Sequence, residues 1–288
     1  MTASWKERLE SLRLRSVKEM FGVEKPIIGM VHLWPLPGAP GYQGYGMDQI
    51  IGHALRDAEA LVEGGVDGLI VENMWDLPYY VGTDTPFETV AAHARKVVEA
   101  VDVPVGINVI HNGGVVEVAI AVAAGAQFIR VCLLTGARVW DTGELDHGCA
   151  ADILRKRKAL GAEHIKLFAD VDKKHSVPFP GIDLATHIEW TDFYLADALI
   201  VSGRMTGAAP DLEKVRRAKE LAGGRPVLLG SGTTAENIAA FLEIADGAIV
   251  GSSLKVEGEP TNPVDVERVR RYMAAVRAVR TASYSQVL

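Results

Sequence analysis

The sequence predicts an α/β fold: a (βα)8 TIM barrel with an extra N-terminal helix. Three observations carry that prediction. Eight short apolar runs, rich in Val, Ile and Leu, recur along the 288 residues. Most are nearly continuous in hydrophobicity, as strands buried on both faces of a parallel sheet are. Each is followed by a segment with helical spacing, and at this length such alternation fits closure into a barrel. A doubly wound open sheet is the rival. Against it, the first strand runs into "HLWPLPG" and not into a glycine-rich dinucleotide fingerprint.

Residues 1–24 read as a helix packed on the barrel, with Leu9, Leu12, Val17, Met20 and Phe21 along one face. Residues 25–288 read as a single barrel domain. The first strand is "PIIGMVHL" from Pro26, followed by the helix "DQIIGHALRDAEALVEGG", stopped by Gly64 and Gly65. The second, "GLIVENM" from Gly68, precedes the helix "PFETVAAHARKVVEA", whose Pro86 suits a first helical turn. "PVGINVI" from Pro104 and "FIRVCLL" from Phe128 are the third and fourth, separated by the helix "GGVVEVAIAVAAG". The helix "CAADILRKRKALG" leads to the fifth strand, "HIKLFADVD" from His164. The sixth and seventh, "ADALIVSG" from Ala196 and "PVLLGSG" from Pro226, alternate with "IDLATHIEWTDFYLA", "DLEKVRRAKELAGG" and "TTAENIAAFLEIA". "DGAIVGSSL" from Asp246 is the eighth, and "PVDVERVRRYMAAVRAVR" closes the chain. Thr233 and Glu236 have the spacing of a capping box. Asp67, Asp197 and Asp246 each precede a strand at the barrel bottom, where they read as loop hydrogen-bonding groups.

A net charge of -7 argues against a nucleic-acid partner, which needs a basic surface. Cys132 and Cys149 give no disulfide framework and suit a reducing compartment. No apolar stretch reaches the roughly 18 residues a transmembrane segment needs, and the N-terminus lacks a signal-peptide core. A cytoplasmic protein is expected. The Ala- and Val-rich helix from Val115 to Ala124 is the candidate face for a homo-oligomer.

In a barrel of this type the site lies at the C-terminal ends of the strands. Those ends carry His32, Glu72, Asn73, Asn108, Arg130, Asp170 and Asp172, with His111, Asn112, Lys173, Lys174 and His175 just beyond. The last three strands end in Gly, Ser and Thr: Ser202, Gly203 and Thr206, then Ser231, Gly232 and Thr233, then Gly251 and Ser252. Small residues let backbone N–H groups approach an anion, so the last two turns are expected to bind phosphate. Asp170, His32, Lys174 and Glu72 are the catalytic candidates. Asn73, Asn108, Asn112, Arg130, His175, Ser202, Gly203 and Thr206 are candidate substrate ligands. A buried Arg130–Glu72 ion pair is a structural alternative. Alternation along an extended chain leaves one of Lys173 and Lys174 pointing inward. His32 is expected to titrate near neutrality. His53, His93, His164 and His187 read as surface or packing positions. Residues 34–46, with Trp34, Tyr42, Tyr45 and several prolines and glycines, read as a semi-rigid lid. "TGARVWDTGELDHG" after the fourth strand reads as the opposing wall. No cofactor is predicted. A divalent metal remains open, though no HxH pair or compact carboxylate repeat is present.

"IIGMVHLWPLPGAPGY", "GGVDGLIVENMWDLPY", "PVGINVIHN", "AQFIRV", "KKHS", "ADALIVSGRMTG", "LLGSGTTAENI" and "DGAIVGSSLK" occur in this order. Together they resemble the BtpA family, also called BtpA/SgcQ. The resemblance implies a barrel akin to ribulose-phosphate-binding barrels. His32, Glu72, Asn73, Asn108, Asn112, Arg130, Lys174, His175, Ser231, Gly232, Asn237, Gly251 and Lys255 match the family pattern; His111 stands where arginine is more usual. Family members are named for accumulating photosystem I complexes in cyanobacteria, and others sit beside sugar-metabolism genes. The expected function is binding, and acting on, a small phosphorylated metabolite, a sugar phosphate or a nucleotide-like compound. The alternatives are a non-catalytic assembly or stability factor for a membrane or photosystem-type complex and a metal-dependent hydrolase.

Overall fold

Eight parallel strands hydrogen-bond into a closed barrel, the last pairing back to the first. They are β1 (Ile27–His32), β2 (Gly68–Glu72), β3 (Val105–Asn108), β4 (Phe128–Val131), β7 (Lys166–Asp172), β9 (Ala198–Val201), β10 (Val227–Leu229) and β11 (Gly247–Val250). The protein is seen in a computed structural model that describes residues 16–79 and 87–285. Leu9, Leu12 and Pro86, singled out above, lie outside the described residues. All eight expected strands are present, so the chain is a (βα)8 barrel.

The helices between them are α2 (Met47–Gly64), α3 (Phe87–Ala100), α4 (Gly114–Ala124), α5 (Ala150–Ala159), α6 (Leu184–Phe193), α7 (Leu212–Leu221) and α8 (Ile238–Leu242), with α9 (Val266–Ser285) last. Before the barrel, α1 (Val17–Phe21) is a short helix closed by a Ser16–Glu19 capping box. The capping box expected at Thr233 and Glu236 does not form. α8 starts four residues later than that reading implies, with Asn237 as its N-cap. Thr233 instead accepts a hydrogen bond from the Tyr272 hydroxyl at 2.8 Å.

Strand periodicity divides the core in two and places the site. Ile27 and Val31 of β1 face the helices, whereas Ile28 and Met30 face the barrel axis. His32 continues the inward set. The same alternation sends Glu72, Arg130 and Asp170 inward above Ile70, Phe128 and Phe168. In register, His32 lies beside Glu72, and Glu72 beside Asn108. The lower end of the barrel is stoppered by Phe21 of α1, whose ring centroid lies 5.8 Å from Phe128 and 6.3 Å from Phe168. Glycine is required here: a Cβ on Gly106 would fall 2.2 Å from the Phe128 ring.

The Asp67, Asp197 and Asp246 pattern has one physical meaning. Each carboxylate accepts the N–H at or near the start of a neighbouring strand: Ile27 at 2.7 Å, Leu167 at 2.9 Å and Val227 at 2.7 Å. Each also holds a cation, Arg280, Lys166 and Lys219 respectively. A buried strand end has no water to satisfy its amide, so a carboxylate does.

One feature departs from a plain barrel. β5 (Ala137–Trp140), β6 (Leu145–His147) and β8 (Ser176–Pro178) form a three-stranded antiparallel sheet at the mouth, in the order β6-β5-β8. The segment read as an opposing wall is the hairpin of this sheet.

Candidate functional site

The turns after β10 and β11 face each other across a cavity of about 230 Å³. The amides of Ser231, Gly232 and Thr233 on one turn, and of Gly251, Ser252 and Ser253 on the other, meet no acceptor among the described residues. Later amides are already engaged: Thr234 N–H donates to Asn237 Oδ1 at 2.8 Å, and Leu254 N–H to Gly251 O at 3.0 Å. The Ser231 hydroxyl lines the cavity, is buried, and has no partner. The two turns are pinned together, because the Ser253 hydroxyl donates to Thr233 O at 2.7 Å. Arg268, in the first turn of α9, donates Nε to Ser253 O at 2.9 Å and lines the same cavity. Free amides, an unpartnered hydroxyl and a guanidinium are the donor types that anions accept hydrogen bonds from.

His32, Glu72, Arg130 and Lys174 line the opposite side. Burial holds the Lys174 ammonium down at about 8, with Lys173 and Arg130 adding to the effect against Glu72. His32 differs from expectation. Burial, then Lys255 and Lys174, hold its pKa well below the ordinary value, so it is neutral and does not titrate near pH 7. Its Nε2 lies 3.8 Å from Glu72 Oε1 and its Nδ1 is unpartnered. Lys173 also departs from the alternation argument. β7 ends at Asp172, so both lysines lie in the following turn, and both line the mouth.

Several strand-end residues have other work. Asp170 is completely buried in a two-pronged ion pair with Arg130, at 2.9 and 3.0 Å. Burial opposes its charge, but Arg130 and then Lys173 hold the carboxyl below the usual range. Asp170 lines neither mouth cavity, and it positions Arg130 where a proton-transfer role was expected. The Ser202 hydroxyl donates to Asp170 at 3.3 Å, and Gly203 packs against Ala208; neither lines either cavity. Arg130 pairs with Asp170, not with Glu72. Lys255 turns away to Asp57 at 2.9 Å.

The three asparagines are staples, a correction to their reading as substrate ligands. Asn73 accepts Ile110 N–H at 2.8 Å and donates to Asp76 at 3.1 Å. Asn108 donates to Arg130 O at 2.9 Å, and Asn112 accepts Leu133 N–H at 3.1 Å. Asn73→Ala therefore leaves a buried amide unpaired and is expected to cost about 1–3 kcal/mol in urea denaturation. Affinity for phosphate is expected to stay within about twofold, because Asn73 lies outside the anion lining.

A second chamber of about 590 Å³ adjoins the first, sharing Met74, Lys174 and Thr206 with it. At the junction His175 is held between two oxygens, with Nδ1 3.0 Å from Asp141 Oδ2 and Nε2 3.0 Å from Thr206 Oγ1. The extra sheet builds this pair: Asp141 follows β5, His175 precedes β8, and Asp141 N–H donates to His175 O at 2.9 Å. A carboxylate–imidazole–hydroxyl chain is a proton-relay arrangement. Sequence reasoning missed Asp141 because nothing local links it to His175. It also missed Arg268, which reaches the mouth from a helix and not from a strand end.

Residues 34–46, the segment read as a lid, are tied down by local contacts in this structure. Trp34 stacks on His53 of α2 at 4.7 Å and 20°, Tyr42 donates to Tyr45 O at 2.7 Å, and Leu36 N–H donates to Asp76 at 2.8 Å. None of these residues lines either cavity. Of the four histidines read as surface or packing positions, His53, His93 and His187 are buried in packing and His164 is exposed. Among the described residues no three His, Cys, Asp or Glu side chains converge as a metal-ligand set. Among them, too, no helix is long and apolar enough to cross a membrane.

The BtpA family model matches residues 23–278. The chain belongs to the BtpA family. A protein of Thermococcus kodakarensis is 41% identical to this BtpA-family chain over 260 residues, 90% of this chain and 98% of that one. The photosystem I biogenesis protein BtpA of Synechocystis is 38% identical over 261 residues, 90% of each. Among solved structures, 3-hexulose-6-phosphate synthase aligns with a TM-score of 0.56 at 20% identity, covering 87% of this chain and 99% of that one. The thiamine phosphate pyrophosphorylase of Pyrococcus furiosus aligns at 0.56 and 12%, covering 88% and 96%. At such identities the likeness is one of fold.

Proposed function

We propose that this BtpA-family barrel binds a small phosphorylated metabolite at its C-terminal mouth and acts on it there. The observation that carries the reading is the set of six amides, on two turns, that meet no acceptor among the described residues and surround one cavity. The phosphoryl group lies on those amides with Arg268 beside it. Its ester oxygen then points toward Glu72 and Lys174, across the same cavity. Lys174, with its pKa near 8, donates or accepts a proton close to neutrality. His175, oriented by Asp141, is the second proton-transfer group, at the inner edge of the adjoining chamber. Structural relatives whose names specify phosphorylated compounds, such as 3-hexulose-6-phosphate synthase, support the class of ligand.

Calorimetric titration with ribose 5-phosphate and with ribose tests this. Saturable binding of the ester alone, weakened about tenfold or more in Arg268→Ala, is expected. No heat with the ester would favour a non-catalytic scaffold.

The Lys174 shift fixes a pH dependence. The folded ammonium deprotonates near pH 8, whereas an unfolded lysine holds its proton to about 10.4. Between those values the unfolded chain binds more protons, so Lys174 makes stability rise with pH there. Anion affinity runs the other way. A phosphate monoester is largely a dianion by pH 7, so affinity should fall about fivefold between pH 7 and 9.5 as the ammonium is lost. In Lys174→Met the same titration is expected to be flat.

A further inference from the structure

The larger chamber holds side chains that the phosphate reading leaves without work. Its walls include Trp75, Leu77, Tyr79, Ile110 and His111. At about 590 Å³ it falls within the roughly 300–1,000 Å³ typical of small-molecule sites. A phosphoryl group and a short sugar do not need that volume, since the first cavity already receives the anion.

Aromatic side chains form much of the chamber wall. The His111 ring lies parallel to Trp140, at 4.1 Å and 6°, and the Tyr79 ring packs against it at 4.7 Å. The Tyr79 hydroxyl is spent on Met74 O at 2.6 Å, which leaves its ring and not its oxygen to the chamber. Burial and Lys173 hold His111 down at about 4, so the imidazole is neutral. Two polar atoms in this wall are buried with no hydrogen-bond partner, His111 Nδ1 and Lys173 Nζ. Lys173 Nζ has the Asp170 carboxylate 3.7 Å away, whereas His111 Nδ1 has no polar partner. Buried polar groups are nearly always satisfied, so His111 calls for a ligand that carries hydrogen-bonding atoms on a flat apolar body. That is the chemistry of a heteroaromatic ring.

Between the two cavities the shared wall is polar. Thr206 and Lys174 line both, and Glu72 stands beside them on the phosphate side. A linker rich in hydroxyl groups suits that passage. The order is therefore anion, hydroxylated middle and flat nitrogenous ring.

We infer that the ligand is a nucleoside 5′-monophosphate, its phosphate on the turns after β10 and β11 and its base in the chamber against His111, Tyr79 and Trp75. This rests on the phosphate reading above and extends it to the other end of the ligand. Stacking explains why a neutral His111 packed on Trp140 is useful where an arginine is not required: the platform recognises a ring face and needs no charge.

The test is calorimetric titration of the full chain with ribose 5-phosphate and with AMP, GMP, CMP and UMP, repeated on Trp75→Ala and on His111→Ala. At least one nucleotide is expected to bind about tenfold or more tightly than ribose 5-phosphate, within the range that base stacking supplies. Both variants should erase that gain and leave ribose 5-phosphate affinity within about twofold of the parent. Trp75 is only partly buried, so its variant answers the question if His111→Ala fails to fold. If ribose 5-phosphate binds and no nucleotide binds more tightly, the ring site is overturned while the phosphate site stands. If a gain appears but survives both substitutions, the chamber is not where the ring sits. If neither the sugar phosphate nor any nucleotide binds, both readings fall.

Discussion

Arg130→Met is expected to destabilise the barrel by about 3 kcal/mol and to lower its thermal midpoint by several degrees. The substitution keeps most of the side-chain volume and removes the charge. What it leaves is the Asp170 carboxylate, 0% exposed, with only the Ser202 hydroxyl at 3.3 Å and Lys173 Nζ at 3.7 Å. An uncompensated buried charge of this kind costs about 3–5 kcal/mol. Lys173 has no hydrogen-bond partner and is free to close on Asp170, which places the expectation at the lower end. Removing both charges, in Arg130→Met with Asp170→Leu, is expected to recover more than half of the loss, because an apolar pair needs no solvation. Denaturant unfolding of both proteins checks this. A loss below about 1 kcal/mol in the single variant would mean that the pair is not buried as described.

Gly232→Ala is expected to reduce ribose 5-phosphate affinity by at least about tenfold and to lower stability as well. Gly232 has φ +78°, and a Cβ there would fall 2.1 Å from Ala209 N and 2.2 Å from the Ala208 carbonyl carbon. Both neighbours are backbone, so neither can swing aside as a side chain would. The turn itself must shift, and with it the amides of residues 231–233. Gly223→Ala is the control. It also has positive φ, +57°, but meets nothing within 4 Å and stands after α7, away from the mouth. It should show only the backbone penalty, about 1–2 kcal/mol, with unchanged affinity. Equal losses of affinity in the two variants would detach the turn from ligand binding.

The eight barrel strands were legible because each is buried on both faces and so reads as a nearly continuous apolar run. The β5–β6–β8 sheet was not. Its strands are three or four residues long and partly exposed, with Leu145 and Val177 each 61% accessible. Within the site, the small residues after β10 and β11 were legible, since an approach of backbone to anion needs side chains out of the way. His32, Glu72, Arg130 and Lys174 were legible as positions, because a period of two carries them inward. Their chemistry was not. His32 is neutral because it is buried and because Lys255 and Lys174 lie near it, and both conditions belong to the closed barrel. Asn73 and Asn112 show the same limit. An amide at a strand end looks alike whether it binds a ligand or Ile110 and Leu133. Arg268 left no local signal at all, since its neighbours in the mouth come from turns that precede α9.

The most direct measurement is a crystal structure of the protein saturated with ribose 5-phosphate. Phosphoryl oxygens within about 3 Å of the amide nitrogens of Gly232 and Ser252, with Arg268 alongside, are the expected result. A fully occupied sugar phosphate whose phosphoryl group lies elsewhere, with those amides bonded to water, would contradict it.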